Sequence, residues 1–202
     1  MIFFLPINPS VHLFIMQQAS TRELLSKEEI DIILHRLCCQ LIERHGDFSK
    51  SVLVGLQPRG VVFGRRIHTM LQERFGLSSV RYGELDTTFF RDDFRRRDTP
   101  LQPNQTRINF LVEDVAVIFL DDVLYTGRSV RAAMDAIMSF GRPKTIELMC
   151  LIDRRFRRHL PVQADYIGRR IDSIESERVQ VEWRETHSAD RVLLSHQKVT
   201  HG

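Results

Sequence analysis

The chain has 202 residues, of which 43% are hydrophobic and 27% charged, with a formal charge of +3. Those numbers suit one soluble globular domain with short tails. So mild a basic excess does not by itself point to a nucleic-acid partner. The distribution of the charge says more. Arg95, Arg96 and Arg97 form one cluster, Arg154, Arg155, Arg157 and Arg158 a second, and Arg169 with Arg170 a third. Clustered arginines can grip phosphate bidentately, although solvated surface charge is the ordinary alternative.

Residues 1–15, MIFFLPINPSVHLFI, are apolar, lack Lys and Arg, and contain Pro6 and Pro9. A secretory signal needs a positive start and an unbroken apolar core, and a membrane helix needs about 20 apolar residues. The segment meets neither requirement. It reads as a non-native or disordered extension, with translation starting at Met16. A domain over 16–184 and a patternless tail over 185–202 complete the division. Residues 27–45 place Ile30, Ile33, Leu34, Leu37, Leu41 and Ile42 at helical spacing, with Ser26 and Glu29 as a capping box. Residues 52–56 form a short apolar strand and 57–60 a turn. Residues 61–75 carry a second helical pattern ending at Gly76, and 80–86 read as a strand. Residues 89–113 are polar, Arg-rich and without a period, the pattern of a long loop or irregular hairpin. Strands follow at 115–120 and 146–152, around a helix over 129–140 that Gly141 and Pro143 close. A basic loop at 153–162 and short strands at 164–167 and 179–183 end the pattern. Cys38, Cys39 and Cys150 fit no metal spacing and read as thiols of a reducing compartment, the cytoplasm.

Alternating strands and helices predict an α/β fold with a mostly parallel sheet covered on both faces. Ligands bind such sheets at the carboxyl ends of the strands. The loops at 57–60, 121–129 and 153–162 all follow strands. The richest segment is Val117–Ser129, VIFLDDVLYTGRS. It sets Asp121 and Asp122 at a strand end and the amides of Thr126, Gly127, Arg128 and Ser129 at a helix start. An amide-rich helix start holds phosphate, and carboxylates accept hydroxyl hydrogen bonds well. A ligand carrying both a diol and a phosphate satisfies both halves. An exposed acidic turn and a simple helix cap at Ser129 are the plain alternatives.

This segment resembles the phosphoribosyl-pyrophosphate (PRPP) motif of the type I phosphoribosyltransferases. With VGLQPRG, ELDTTFFRDDF and QADYIGRRI, it looks most like the PyrR family of pyrimidine operon attenuators that are also uracil phosphoribosyltransferases. The resemblance implies the type I fold, with a small hood and a mobile loop over the site. It implies an enzyme making UMP and pyrophosphate from uracil and PRPP, with Mg2+ bridging the ribose diol and the pyrophosphate beside Asp121 and Asp122. Arg59 and Gly60 would hold the pyrophosphate, Thr126–Ser129 the 5′-phosphate, and Arg91 the closed mobile loop. Asp153 and Arg169 would serve the base-side loop, Tyr166 would stack on the base, and the backbone of Ile167 would read its edge. A homodimer or higher homo-oligomer, an mRNA leader as a possible partner and no membrane association follow in the same way.

There are departures. The family's loop Asp-Arg-Gly-His-Arg is replaced here by Asp153, Arg154, Arg155, Phe156, Arg157, Arg158 and His159, and Cys39 stands where the family's first helix carries a His. Both positions lie on surfaces the family uses for RNA, with Arg36, Arg154, Arg157 and Arg158 as the remaining candidates there. Two alternatives therefore stay open. One is an RNA-binding attenuator of the pyrimidine operon with weak or no catalysis. The other is a purine phosphoribosyltransferase on the same fold.

Overall fold

The computed structural model describes residues 21–90, 105–174 and 176–196. Residues 1–20, Arg91 and the Arg95–Arg97 cluster lie outside them, as does the side chain of Arg157. In chain order the elements are β1 (Arg22–Leu25), α1 (Lys27–His45), β2 (Ser51–Leu56), α2 (Gly60–Glu73), β3 (Arg81–Leu85), β4 (Ala116–Leu124), α3 (Arg128–Ile137), β5 (Thr145–Arg154), β6 (Tyr166–Ile171), β7 (Glu177–Glu182) and β8 (Arg191–His196). Short 3-10 turns cover 88–90, 138–140 and 155–157.

Five strands form a parallel sheet in the order β3-β2-β4-β5-β6. Its residues alternate between two buried faces. Val52, Val54, Leu56, Val117 and Phe119 pack under α3, against Val130, Ala133 and Ile137. Leu53, Ile118, Leu120 and Leu151 pack on the other face, against Leu34 and Leu37 of α1 and Phe63 and Ile67 of α2. α1 starts as its spacing predicts. The Ser26 hydroxyl accepts the Glu29 amide at 3.3 Å, and a Glu29 carboxylate oxygen accepts the Ser26 amide at 2.9 Å.

The smaller sheet is antiparallel, in the order β1-β8-β7. β1 is absent from the reading of the sequence, and β8 falls inside the segment read as a patternless tail. Both are short; β1 has its partner at the far end of the described chain, and β8 pairs on one side with β1 and on the other with the preceding β7. The connection before β8 is fixed by Arg66 of α2, whose guanidinium meets Glu185 at 2.7 Å and Asp190 at 2.6 Å and lies 4.5 Å from the Trp183 ring centre. Leu25, Val179, Val181, Trp183 and Val192 thereby join the core of the α1–α2 face. Among the described residues, no helix is long and apolar enough to cross a membrane.

Candidate active site

β4 is longer than the apolar run suggests. It continues through Asp121 and Asp122 to Leu124, so the acidic pair lies within the end of the strand and the two side chains leave on opposite faces. Asp122 is 4% exposed, and Asp121 is half-buried. An Asp121 carboxylate oxygen accepts the Asp122 amide at 2.9 Å. Burial raises both carboxyls above the ordinary carboxylate range. The neighbouring charge of Asp122 pushes Asp121 further up, whereas Arg59 draws Asp122 partly back. The chain keeps two costly carboxyls side by side at the ligand-binding edge of a parallel sheet. A diol or a cation would offset that cost.

The loop that follows is shaped for an anion. Gly127 has φ +88°, and a Cβ there would come within 3.3 Å of Val162, so no other residue fits without strain. Gly127 is the cap of α3, with no side-chain cap hydrogen bond. Ser129 thus lies inside the first turn and does not cap the helix, contrary to one reading of the sequence. The Thr126 hydroxyl accepts the Arg128 amide at 3.4 Å, and the Thr126 carbonyl accepts the amides of His159 at 3.0 Å and Leu160 at 3.3 Å. The loop after β5 therefore holds the α3 entry from behind. The positive end of the α3 dipole faces the same edge as the carboxyls.

Gly60 brings the loop after β2 into this group. A Cβ at Gly60 would sit 2.2 Å from the Leu120 carbonyl oxygen and 3.0 Å from Cα of Asp121. Only glycine lets α2 start against β4, and that approach puts Arg59 within electrostatic reach of both carboxyls. After β3, Asp86 accepts the Thr88 amide at 3.0 Å and its hydroxyl at 2.6 Å. The next candidate, Arg91, lies outside the described residues.

The base-side candidates are arranged differently from expectation. Tyr166 is 5% exposed and opens β6 opposite Met149 of β5. Arg170, near the other end of that strand, pairs with Asp153, about 13 Å further along at about 3.3 Å per residue. The Tyr166 hydroxyl donates to Glu147 at 2.6 Å and lies 2.9 Å from Nε2 of His45. Tyr166 is a core residue at the wrong end of its strand and cannot stack on a ligand at the carboxyl edge. The carbonyls of Ile167 and Gly168 accept Arg36 at 3.1 and 2.6 Å, so the Ile167 carbonyl is already engaged. Arg169 donates to the Leu24 carbonyl at 2.6 Å and reaches Glu29 at 3.4 Å. It ties β1 to β6. Asp153 is at the edge but is buried between Arg158 and Arg170. The apolar side chains open to solvent there are Phe156, 65% exposed, and Ile174, 61% exposed. Neither is singled out by the sequence, because a lone apolar residue in a polar loop carries no period.

Two of the arginines read as RNA candidates face inward. Arg154 is 6% exposed and bonds Ser173 Oγ at 2.7 Å. Arg158 donates to the Tyr125 carbonyl and to Asp153. Arg36 is exposed and gives one terminal nitrogen to β6. Burial removes Arg154 from any outer surface, and Arg158, partly exposed, is turned toward Asp153 and Tyr125.

Comparison with known proteins shows the family and the fold. The family model for the phosphoribosyl transferase domain matches residues 20–186. A bifunctional protein PyrR of Desulfosudis oleivorans is 37% identical over 180 residues, covering 89% of this chain and 99% of that protein. One from Gloeothece citriformis is 40% identical over 172 residues, covering 85% and 96%. Among solved structures, a hypoxanthine phosphoribosyltransferase of Staphylococcus aureus superposes with a TM-score of 0.63 at 18% identity, covering 98% of this chain and 100% of that one. The Trypanosoma cruzi hypoxanthine phosphoribosyltransferase gives 0.66 at 15% identity, covering 88% and 97%. At such identities the likeness is one of fold.

Proposed function

Since the chain belongs to the phosphoribosyl transferase family and within it to the PyrR proteins, with the type I fold, we propose that it transfers the phosphoribosyl group of PRPP to uracil, giving UMP and pyrophosphate. The observation that carries this reading is the juxtaposition of the Asp121–Asp122 pair with the glycine-capped start of α3 and with Arg59. Such a reaction breaks the anomeric bond with oxocarbenium-like charge. The protein's part is positioning and electrostatics, not covalent attack. Asp121 and Asp122 accept the ribose hydroxyls, and the amides of 126–129 take the 5′-phosphate. Arg59 faces the leaving pyrophosphate, and Arg91 belongs to the loop that closes over the sugar and excludes water.

The residues present fit Mg2+ delivered with the substrate. Among the described residues no set of three or more His, Cys, Asp or Glu could hold a metal unaided. Asp121 and Asp122, the two carboxyls at the edge, would hold such an ion there together with the substrate. When bound, the ion neutralises charge on the leaving pyrophosphate. Three free thiols, with Cys38 pushed up to about 12 by burial, support a reducing compartment such as the cytoplasm. A homo-oligomer is part of the same proposal.

A second reading, regulation through pyrimidine-leader RNA, is favoured by a cavity of about 420 Å³ lined by Arg22, Arg169 and Arg170 between β1 and β6. Its three arginines offer donors to phosphate, Glu23 and Asp172 line the same cavity, and the reading is compatible with catalysis. The deciding experiment is a panel of uracil, hypoxanthine, guanine and adenine with PRPP and magnesium, following pyrophosphate release. Release with uracil alone supports the main reading. Release with a purine alone supports a purine transferase instead.

A further inference from the structure

Arg154 closes β5 and lies beneath the candidate site. Its guanidinium carbon is 3.9 Å from the centre of the Tyr125 ring. Tyr125 stands one residue before the phosphate loop. The same guanidinium donates to Ser173 Oγ at 2.7 Å, the Ile174 carbonyl at 3.2 Å and the Glu177 carbonyl at 2.9 Å. One buried side chain thus joins the end of β4 to the segment running from β6 into β7. Arg158 strengthens the first attachment by donating to the Tyr125 carbonyl.

We propose that Arg154 is a positioning residue that couples phosphate binding at 126–129 to the placing of the base beneath Ser173 and Ile174. The inference rests on the site reading above. With the ribose on β4 and the pyrophosphate toward Arg59 and β2, the base leaves the sugar on the side of β5 and β6. The exposed Ile174 belongs to the segment whose backbone Arg154 holds. A planar guanidinium can stack on a ring with one face while its edge donates to several carbonyls, which an ammonium cannot do. A ligand that orders Tyr125 therefore orders the base-side segment as well, and the two halves of a nucleotide bind cooperatively.

UMP spans both halves, whereas ribose 5-phosphate touches only the first. Calorimetry on the full chain compares them for wild type, Arg154→Met and Arg154→Lys. In Arg154→Met the Kd of ribose 5-phosphate is expected to change less than about threefold and that of UMP to rise roughly tenfold or more. Arg154→Lys should fall between. A merely structural role would weaken both ligands in parallel, so an unchanged ratio overturns the coupling. If Arg154→Met does not fold, Tyr125→Leu removes the stacking face alone and must show the same split; equal changes there also overturn it. A wild-type chain that binds neither ligand overturns the site reading and the coupling with it. A wild type that binds both while the variants keep its ratio overturns the coupling alone.

Discussion

At the level of single residues, the acidic pair yields the sharpest expectation. Each charged acceptor removed from a diol is worth about 1.5–3 kcal/mol, so replacing Asp121 and Asp122 with Asn should cut turnover by roughly a hundredfold to ten-thousandfold. Stability should move the other way. Both carboxyls are raised by burial in the fold. A raised acid favours the fold while protonated and disfavours it once ionised, so stability falls as pH climbs from the unfolded carboxylate value through the folded one. The Asn pair should therefore melt higher than wild type at neutral pH without ligand, with the gap closing below about pH 4. Turnover of the wild type should rise across that same climb. A double variant that melts lower at neutral pH, yet converges with wild type in acid, would contradict the sign. Tyr166 gives the opposite case. Tyr166→Phe should cost about 1–2 kcal/mol in urea unfolding, because Glu147 loses a buried donor, and should leave the KM for uracil unchanged. Tyr166→Leu, which removes the ring that Phe keeps, should likewise leave that KM unchanged, and a large rise there would restore the stacking role. The acidic pair, Gly60 and Gly127 are legible because sequence marks them directly, by adjacent like charges and by glycines at strand ends. The place of Tyr166 is not, because sequence shows an aromatic in a strand but not how far along the neighbouring strand it sits.

For elements, legibility follows the range of the contacts. α1 and its capping box are readable because period and cap are local, and the strands of the large sheet because both faces are buried and the runs are continuously apolar. β1 pairs with β8 from the opposite end of the described chain, so nothing local announces it, and β8, though it also pairs with the preceding β7, is too short and mixed in polarity to show a period. Their anchor is Arg66. Asp190 is buried and accepts Arg66 together with the Arg184 amide, and Arg66 holds its carboxyl below the usual range against the opposing effect of burial. Removing the cation leaves that charge uncompensated. Arg66→Met should therefore destabilise by roughly 3 kcal/mol, the lower end of the cost of breaking a buried pair, since Glu185 remains partly in water. Hydrogen exchange should show β7 and β8 losing protection before the parallel sheet. Uniform loss across both sheets would mean that the small sheet is not a separate cooperative unit.

Over the whole molecule, the sequence shows an arginine-rich chain but not the direction in which each arginine points. Arg154 is buried inside the fold, Arg158 bonds inward while partly exposed, and the exposed Arg36 gives one terminal nitrogen to the carbonyls of β6. Among the described residues, Arg154 is thereby lost to a polyanion, and one basic cluster that stays exposed is that of Arg22, Arg169 and Arg170, with Glu23 and Asp172 beside it. Phosphate contacts of that kind give affinity without reading sequence. In the loop after β5, which departs from the Gly-His pattern expected from the resemblance, Arg155 is bonded to Asp172. RNA binding is therefore expected to be weak, steeply salt-dependent and poorly selective between a pyrimidine-leader hairpin and unrelated RNA. Replacing Arg22 and Arg170 with Gln should lower the slope of log affinity against log salt by about two, close to one for each phosphate no longer neutralised. Uracil turnover should persist. The measurement is competition at physiological salt: retention of the hairpin at nanomolar concentration against excess unrelated RNA would show sequence readout that these side chains do not supply, and would put the regulator ahead of the enzyme.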